Sequence, residues 1–407
     1  MRGQASTTRR STLARLAATF AAAGLTACSE PPPPQVLDMP AEPIRPPVTP
    51  PPLQSAWPSL DAMAARMIAN GQTPGLSLSI MQGSNWMYSK GFGLADIARR
   101  LPATPQTPFR IGSVSKQFTA AAIMLLAEER FLKLSDPLAL YLPEFPRAAD
   151  VTLTQLLSHT SGLGDYLADV YPINRHHSYS AGEIMAAIAS SRPLFQSEPG
   201  TAWHYSNSGF ALLGIVVEKL ARMPYHDFCR WRLFASAGLG DTSIGAPDAE
   251  PGACVGYYPD YRAAGGFQPT LSIPPSLIGG AGAISSTTED LCRWHAVLMN
   301  GKVLKPASFK TMQTPVRFRN GGLVAPNYGL GLGLGRFGND RVISHSGLVN
   351  GFTAHLRSFP DRKLTVAILC NSDGGGSDSF TAAQVALRDE ASRLALAALR
   401  PYRRSAS

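Results

Sequence analysis

The chain has 407 residues, more than one hydrophobic core usually fills, so one large two-lobed domain or two domains are expected. A hydrophobic fraction of 44% and a charged fraction of 16% exclude a largely disordered chain. The formal net charge is +9, but four arginines lie in the first 27 residues, which contain no acids, and removing these four leaves +5. The remaining basic residues are scattered, without a basic run, so no nucleic-acid partner is expected.

Residues 1–27 are predicted to be a lipoprotein signal peptide. A basic start precedes an apolar run, Leu16 to Leu25, which is too short for a membrane span of ~20 residues. The next residues end at Cys28 and resemble a bacterial lipobox, which implies that Cys28 is lipidated and becomes the first residue. Ser29 in place of Asp favours the outer membrane, on its periplasmic side, if the cell has one. Paired arginines also resemble a twin-arginine export signal, and an unlipidated secretory leader is the alternative.

Residues 28–58 are dense in proline and are predicted to form a tether. Such a segment favours extended polyproline II and behaves as a semi-rigid spacer. It would hold a soluble domain, predicted over residues 59–400, away from a bilayer.

Within this domain the periodicity first predicts a helix, Leu60 to Ile68, and a hairpin of two strands, Leu76 to Met81 and Trp86 to Phe92. A helical block follows the segment around Ser113, with helices at Thr152 to Leu157, Ala181 to Ala189, Gly209 to Ala221 and Tyr225 to Ala237. Strands return at Tyr328 to Leu334, Arg341 to Ser344, Thr353 to Phe359 and Lys363 to Cys370, and a helix closes the chain from about Ser379 to Leu399. This order predicts an α+β fold, with an antiparallel sheet flanked by helices from both chain ends and an inserted all-α lobe at about 130–275.

The stretch from Phe109 to Ala120 contains S-x-x-K, with Ser113 as a candidate nucleophile and Lys116 as its base. A spacing of three places both side chains on one face of a helical turn. Gly112 permits a tight turn into the helix, so the Ser113 backbone amide can serve as an oxyanion donor at the helix N-terminus. Lys116 must be partly neutral to act as a base, which requires burial or neighbouring positive charge.

Two further motifs follow, Tyr205-Ser206-Asn207 and His345-Ser346-Gly347. With Ser113 and Lys116 they resemble the three-motif pattern of the serine β-lactamase and penicillin-binding protein superfamily, in its class C-like branch. Accessory stretches support the resemblance: Gly91 to Asp96, Leu156 to Leu163, Gly279 to Gly282 and Tyr328 to Gly331. The resemblance implies a β-lactamase/transpeptidase-like fold, covering about Leu60 to Leu399.

The resemblance also implies roles for single residues. Tyr205 would relay protons to the leaving group and to the deacylating water, and Asn207 would bind the lysine and the substrate amide. Gly347 would leave room for a substrate running along an edge strand, and the Leu348 backbone amide would be the second oxyanion donor.

His345 stands where many relatives carry lysine. With Ser346 it would bind a substrate carboxylate, as a weaker and pH-dependent anchor, or simply shape the wall of the site.

These features predict an exported, lipid-anchored serine hydrolase that works through an acyl-enzyme on small-molecule or peptidoglycan-type substrates. The ranking is a D-alanyl-D-alanine carboxypeptidase or related peptidase, then an esterase, then a class C-like β-lactamase. A non-catalytic penicillin-binding or sensory lipoprotein is the alternative from another class.

No cofactor is expected, and the sequence has no histidine, cysteine or carboxylate spacing typical of a metal site. His159 is interpreted as a structural residue that holds a loop near the cleft. Four cysteines follow Cys28; two disulfides are conceivable, but buried free thiols are the preferred interpretation.

Overall fold

The structure is a computed structural model, and it describes residues 57–168, 173–245, 253–260, 262–263, 265–324 and 327–399. The predicted signal peptide, Cys28 and all but the last two residues of the predicted tether lie outside the described residues. Among the helices in the described part of the chain, none is both long and apolar enough to cross a membrane.

The strands in the described residues are β1 (Gly75–Gln82), β2 (Asn85–Asp96), β3 (Leu101–Pro102), β4 (Phe109–Arg110), β5 (Ser243–Ile244), β6 (Tyr257–Pro259), β7 (Phe267–Pro269), β8 (Ile284–Ser286), β9 (Gly333–Phe337), β10 (Asp340–Val349), β11 (Phe352–Phe359) and β12 (Leu364–Cys370). The α-helices are α1 (Pro58–Ala69), α2 (Lys116–Glu128), α3 (Leu153–Leu157), α4 (Ala181–Ser190), α5 (Asn207–Ala221), α6 (Tyr225–Phe228), α7 (Pro275–Ile278), α8 (Thr288–Met299), α9 (Pro306–Met312) and α10 (Asp378–Ala398).

The main sheet has the strand order β3-β2-β1-β12-β11-β10-β9, and its neighbouring strands are antiparallel. At its centre β1 pairs with β12, with Leu76 opposite Cys370. Strands from the two ends of the folded domain therefore lie side by side. The predicted α+β fold, with an antiparallel sheet built from both chain ends, is confirmed.

Strand β1 shows how helices cover both faces of this sheet. Leu76, Leu78 and Ile80 point to one face, where they pack in a core that includes residues of α1 and α10. The serines between them point to the other face and hydrogen-bond the Thr288 hydroxyl at the start of α8, at 2.8 and 2.7 Å. The two terminal helices thus cover one face of the sheet and α8 covers the other.

Most predicted helices are present, with shifts of one or two residues at their ends. Helix α3 begins after Thr152, which caps it through a hydrogen bond from the Gln155 amide, and α5 begins at Asn207 rather than Gly209. The predicted single helix from Tyr225 to Ala237 is wrong in form, because α6 passes into a π-helical segment, Cys229–Ala235. Helices α8 and α9 were not predicted.

The inserted lobe is not all-α as predicted. Strands β5, β6 and β7 lie within residues 243–269; β6 pairs with β7, and β5 joins β4 and β8 in a second small sheet. These strands have only two or three residues each, which is too short for an alternating pattern to stand out in the sequence.

The predicted strand from Tyr328 to Leu334 is also wrong over most of its length. The chain turns at Gly331, and the Gly329 amide donates to the Leu332 carbonyl at 2.9 Å. The apolar run is buried as a turn against α2, and strand β9 begins only at Gly333.

The four cysteines that follow Cys28 confirm the preferred interpretation of the sequence. All four are buried free thiols, namely Cys229, Cys254, Cys292 and Cys370.

Replacement of Leu78 by alanine is expected to lower the free energy of unfolding by about 3 kcal/mol, because Leu78 is fully buried and the cavity cannot close. Urea denaturation followed by circular dichroism measures this. Leu140→Ala is the matched control, since its side chain is 65% exposed, and it should change stability by less than about 0.5 kcal/mol. Equal losses in the two variants would contradict the assigned packing.

Candidate active site

Ser113 lies at the junction of a strand and a helix. Strand β4 leads into a 3₁₀ turn, Gly112–Ser115, which continues directly into α2. Gly112 has φ +49°, and a Cβ at this position would lie 2.9 Å from backbone atoms of Leu348. In a 3₁₀ turn residues three apart eclipse each other. This local geometry brings the side chains of Ser113 and Lys116 together.

The amine of Lys116 is completely buried and has three polar neighbours. Its Nζ lies 3.1 Å from Ser113 Oγ, 2.7 Å from Asn207 Oδ1 and 2.9 Å from the Ala281 carbonyl oxygen. The same atom lies 4.8 Å from the ring centre of Tyr205. Residues from the 3₁₀ turn, α5 and the loop before β8 therefore meet at one amine.

Burial lowers the pKa of Lys116 to about 7, although the nearby carboxylate of Asp165 acts to raise it. A substantial fraction of this amine is therefore neutral at neutral pH, as the sequence-based argument for a base requires.

Tyr205 is the third group beside Ser113, and its hydroxyl lies within interaction range of the serine side chain. Burial raises the pKa of Tyr205 far above its usual range, so the phenol keeps its proton at neutral pH. The ring of His159 packs on that of Tyr205, with centres 4.3 Å apart.

His159 also holds the backbone that carries Tyr205. Its Nδ1 accepts a hydrogen bond from the Ser206 amide at 3.1 Å, and its carbonyl accepts from the His204 amide at 2.9 Å. The prediction that His159 holds a loop near the cleft is confirmed by these contacts.

Asn207 is oriented by a residue that the sequence reasoning missed. Its Nδ2 donates to Asp165 Oδ2 at 2.7 Å, and this fixes Oδ1 towards Lys116. Asp165 lies two residues after the end of the accessory stretch at Leu163, so its position close to this motif was the available signal.

Strand β10 carries the third motif. Its pairing with β9 ends at Ser344, so the segment from His345 to Val349 pairs only with β11 among the described strands. Gly347 lies against the strand that leads to Ser113, and a Cβ there would lie 1.9 Å from the Ile111 carbonyl oxygen. Contacts inside the protein therefore already require glycine here, in addition to the room for a substrate that the resemblance implies.

His345 is buried and both its ring nitrogens are engaged. Nδ1 lies 2.6 Å from the Ser346 carbonyl, which can only accept, so Nδ1 carries the proton and Nε2 accepts from the Tyr328 hydroxyl at 2.8 Å. Burial, with a contribution from the charge of Lys116, lowers the pKa of His345 to about 4. The ring is therefore uncharged at neutral pH. Ser346 is exposed beside it.

A cavity of about 500 Å³ opens beside Ser113. Apolar side chains form much of its wall; they belong to Leu167, Tyr258, Ile273, Ile278, Leu348 and Val349. Asn207 and Asp373 also line it. Among the described residues no group of three or more histidine, cysteine or acidic side chains could hold a metal ion.

Comparison with known proteins agrees with this geometry. Residues 60–390 match the sequence model of the Beta-lactamase family. The chain belongs to this family. It is a serine hydrolase of the β-lactamase and penicillin-binding protein group, with the mixed fold of that group.

Two curated relatives show the range of the family. A penicillin-binding protein of Bacillus subtilis is 30% identical over 309 residues, covering 72% of this chain and 67% of the relative. A D-aminopeptidase of Brucella anthropi is 27% identical over 335 residues, covering 81% of this chain and 62% of the relative. The chain thus spans somewhat less than two thirds of the length of the D-aminopeptidase.

Solved structures give the same result. A D-amino acid amidase of Ochrobactrum anthropi, in complex with L-phenylalanine, has a TM-score of 0.72 and 26% identity, covering 84% of this chain and 99% of the other. An octameric penicillin-binding protein homologue of Pyrococcus abyssi has a TM-score of 0.71 and 26% identity, covering 84% and 77% of the two chains.

Asp165→Asn is expected to shift the acidic limb of the pH–rate profile to lower pH. The substitution removes a negative charge that raises the pKa of Lys116, whereas an asparagine oxygen can still accept from Asn207. A shift of about one pH unit is expected. Hydrolysis of p-nitrophenyl butyrate from pH 5 to 9 measures it. A limb that stays in place or moves to higher pH would contradict the assigned electrostatics.

Gly347→Ala is expected to slow modification of Ser113 by a fluorophosphonate probe by about 100-fold, because the new methyl group forces β10 and the Leu348 amide away from the serine. Gly335→Ala on β9 is the matched control, since a Cβ there meets no atom within 4 Å. Labelling of Gly347→Ala within threefold of the unmodified protein would show that the strand position does not matter.

Proposed function

We propose that this protein is an exported, lipid-anchored serine hydrolase that cleaves amide or ester bonds through an acyl-enzyme on Ser113. The observation that carries the proposal is the buried amine of Lys116, 3.1 Å from Ser113 Oγ and with a pKa near 7. A serine hydroxyl is a weak nucleophile until a neighbouring base takes its proton.

The contacts of Lys116 suit a neutral amine. Its two N–H groups can donate to Asn207 Oδ1 and to the Ala281 carbonyl, which leaves the lone pair directed at Ser113 Oγ. In this state Lys116 accepts the serine proton as Oγ attacks the substrate carbonyl.

Tyr205 is suited to the next proton transfer. It lies beside Ser113 and Lys116 and keeps its proton at neutral pH, so it can donate to the leaving group and recover a proton from Lys116. The backbone amides of Ser113 and Leu348 would hold the oxyanion, and each such donor typically contributes ~3 kcal/mol of transition-state stabilisation. Water then releases the acyl group by the same steps in reverse.

The third motif bears on the class of substrate. An uncharged His345 whose two nitrogens are already bonded offers no cation for a substrate carboxylate. Two roles were considered for His345, binding a substrate carboxylate and shaping the site. The geometry disfavours the first and is compatible with the second. Within the peptidase-like activities, this disfavours a D-alanyl-D-alanine carboxypeptidase and favours an amidase or aminopeptidase, in line with the names of two relatives.

An esterase is the second candidate, since the same uncharged wall tolerates a neutral ester. Export and attachment of a lipid at Cys28 are supported by the sequence motif alone. They place the enzyme in the cell envelope, on the periplasmic side of the outer membrane in a Gram-negative cell, with access to envelope peptides.

Ser113→Ala is expected to abolish turnover and to prevent any acyl adduct. The purified protein is incubated separately with a fluorescent penicillin and with p-nitrophenyl butyrate, and adduct and product are followed by intact-protein mass spectrometry. Ser190→Ala, at an exposed helix end, is the control and should behave like the unmodified protein.

The outcomes separate the candidates. Ester or amide turnover with little penicilloyl adduct supports the amidase and esterase reading, whereas a stable penicilloyl adduct supports a penicillin-binding peptidase. Rapid release of hydrolysed penicillin indicates a β-lactamase. Failure of every probe to label Ser113 in the folded protein would favour a non-catalytic binding or sensory lipoprotein.

A further inference from the structure

The cavity beside Ser113 has an uneven distribution of charge. Among the described residues that line it, Asp373 is the only aspartate, glutamate, lysine, arginine or histidine. No lysine, arginine or histidine belongs to that described lining. The two basic residues nearest to the reaction, Lys116 and His345, have pKa values lowered to about 7 and about 4 by burial.

The carboxylate of Asp373 is held firmly in place. Oδ2 accepts a hydrogen bond from the Gly351 amide at 2.9 Å, and Oδ1 accepts from the Gly375 amide at 3.0 Å. Gly351 belongs to the tight turn between β10 and β11, three residues after Leu348. The same strand end that presents the Leu348 amide to the site therefore also positions this carboxylate.

These contacts leave acceptor capacity on Asp373. Each carboxylate oxygen has about two acceptor positions, and each accepts one hydrogen bond from the backbone. The residue is half-buried at the cavity wall. A cation held there would be partly desolvated, and a charge-assisted hydrogen bond is then stronger than one between neutral groups.

Much of the rest of the wall is apolar, and this adds a second basis for selectivity. Leu348 is 64% exposed and lines the cavity. Tyr258 is 42% exposed and lines the same space. A ligand that combines an apolar body with a positive charge matches both features.

We propose that Asp373 is the specificity residue of this site and that it binds a positively charged group, such as the ammonium of an aminoacyl amide or ester. This inference rests on the proposed function, because it requires Ser113 to be acylated by the substrate so bound. Among its described residues, the cavity lining has no positively charged side chain to bind a substrate carboxylate, and Asp373 instead supplies a negatively charged side chain to bind a cation. The enzyme selects cationic substrates and disfavours anionic ones.

The test compares pairs of substrates that differ only in charge. One pair places the charge on the acyl part: alanine p-nitroanilide, as each enantiomer, against its N-acetyl derivative. The other places it on the leaving group: choline butyrate against its neutral isostere, 3,3-dimethylbutyl butyrate. The ratio of kcat/KM within each pair is measured for the unmodified protein and for Asp373→Asn.

The unmodified protein is expected to prefer the cationic member of at least one pair by about tenfold or more. In Asp373→Asn that preference should fall about tenfold, while kcat/KM for the neutral member stays within about twofold. Asp260→Asn is the matched control, because Asp260 also accepts from a backbone amide two residues later, at 2.9 Å, but does not line the cavity.

Two results would overturn the proposal while leaving the proposed function intact: no preference for the cationic member in either pair, or a preference that Asp373→Asn leaves unchanged. Loss of the neutral substrates together with the cationic ones in a variant of normal melting temperature would also overturn it, since Asp373 would then act on the reaction itself. Failure of the unmodified protein to turn over even the neutral esters would instead reject the serine hydrolase proposal.

Discussion

The burial of one amine is the constraint on which the rest of the site depends. Water would solvate the ammonium form of Lys116 strongly, and removal from water favours the neutral form. The carboxylate of Asp165 opposes this effect of burial, so the pKa of Lys116 stays near 7 instead of falling further. The result is a base that is available at neutral pH and is still basic enough to take a serine proton.

This balance requires parts of the chain that lie far apart in sequence to meet within hydrogen-bond distance. Lys116 starts α2, Asn207 starts α5, and the Ala281 carbonyl belongs to the loop before β8. Asp165 fixes the amide of Asn207, and His159 fixes the backbone just before it. The inserted lobe therefore serves the site directly, because it carries Asn207, which accepts from Lys116, and Asp165, whose carboxylate raises the pKa of that amine.

Much of the fold followed from the residue pattern, because strand β1 alternates serine with leucine and isoleucine, β12 is a continuous apolar run, and the terminal helices are amphipathic. Short strands such as β6 and β7 escaped prediction because two or three residues cannot show a period. The turn at Gly331 escaped because a buried turn and a buried strand are both apolar. In each case the missing information was the tertiary environment of the segment.

The active site also combines features that the sequence predicts with features that depend on the tertiary environment. Ser113, Lys116, Tyr205 and Asn207 could be placed together because each lies in a recognisable motif. The Ala281 carbonyl could not, since a backbone acceptor leaves no mark in the sequence. The tautomer and the uncharged form of His345 could not be predicted either, because they depend on the hydrogen bond with Tyr328 and on burial.

The charges in the site lead to a general point about its selectivity. A serine hydrolase with a neutral base and a neutral third motif has little electrostatic hold on an anionic substrate, whatever the shape of its cavity. A single fixed carboxylate in a largely apolar wall then has a large influence, because apolar surroundings strengthen its attraction for a cation. The burial that makes Lys116 a neutral base therefore leaves the recognition of substrate charge to Asp373. This residue accepts a hydrogen bond from the Gly351 amide in the turn that follows Leu348 and the end of β10.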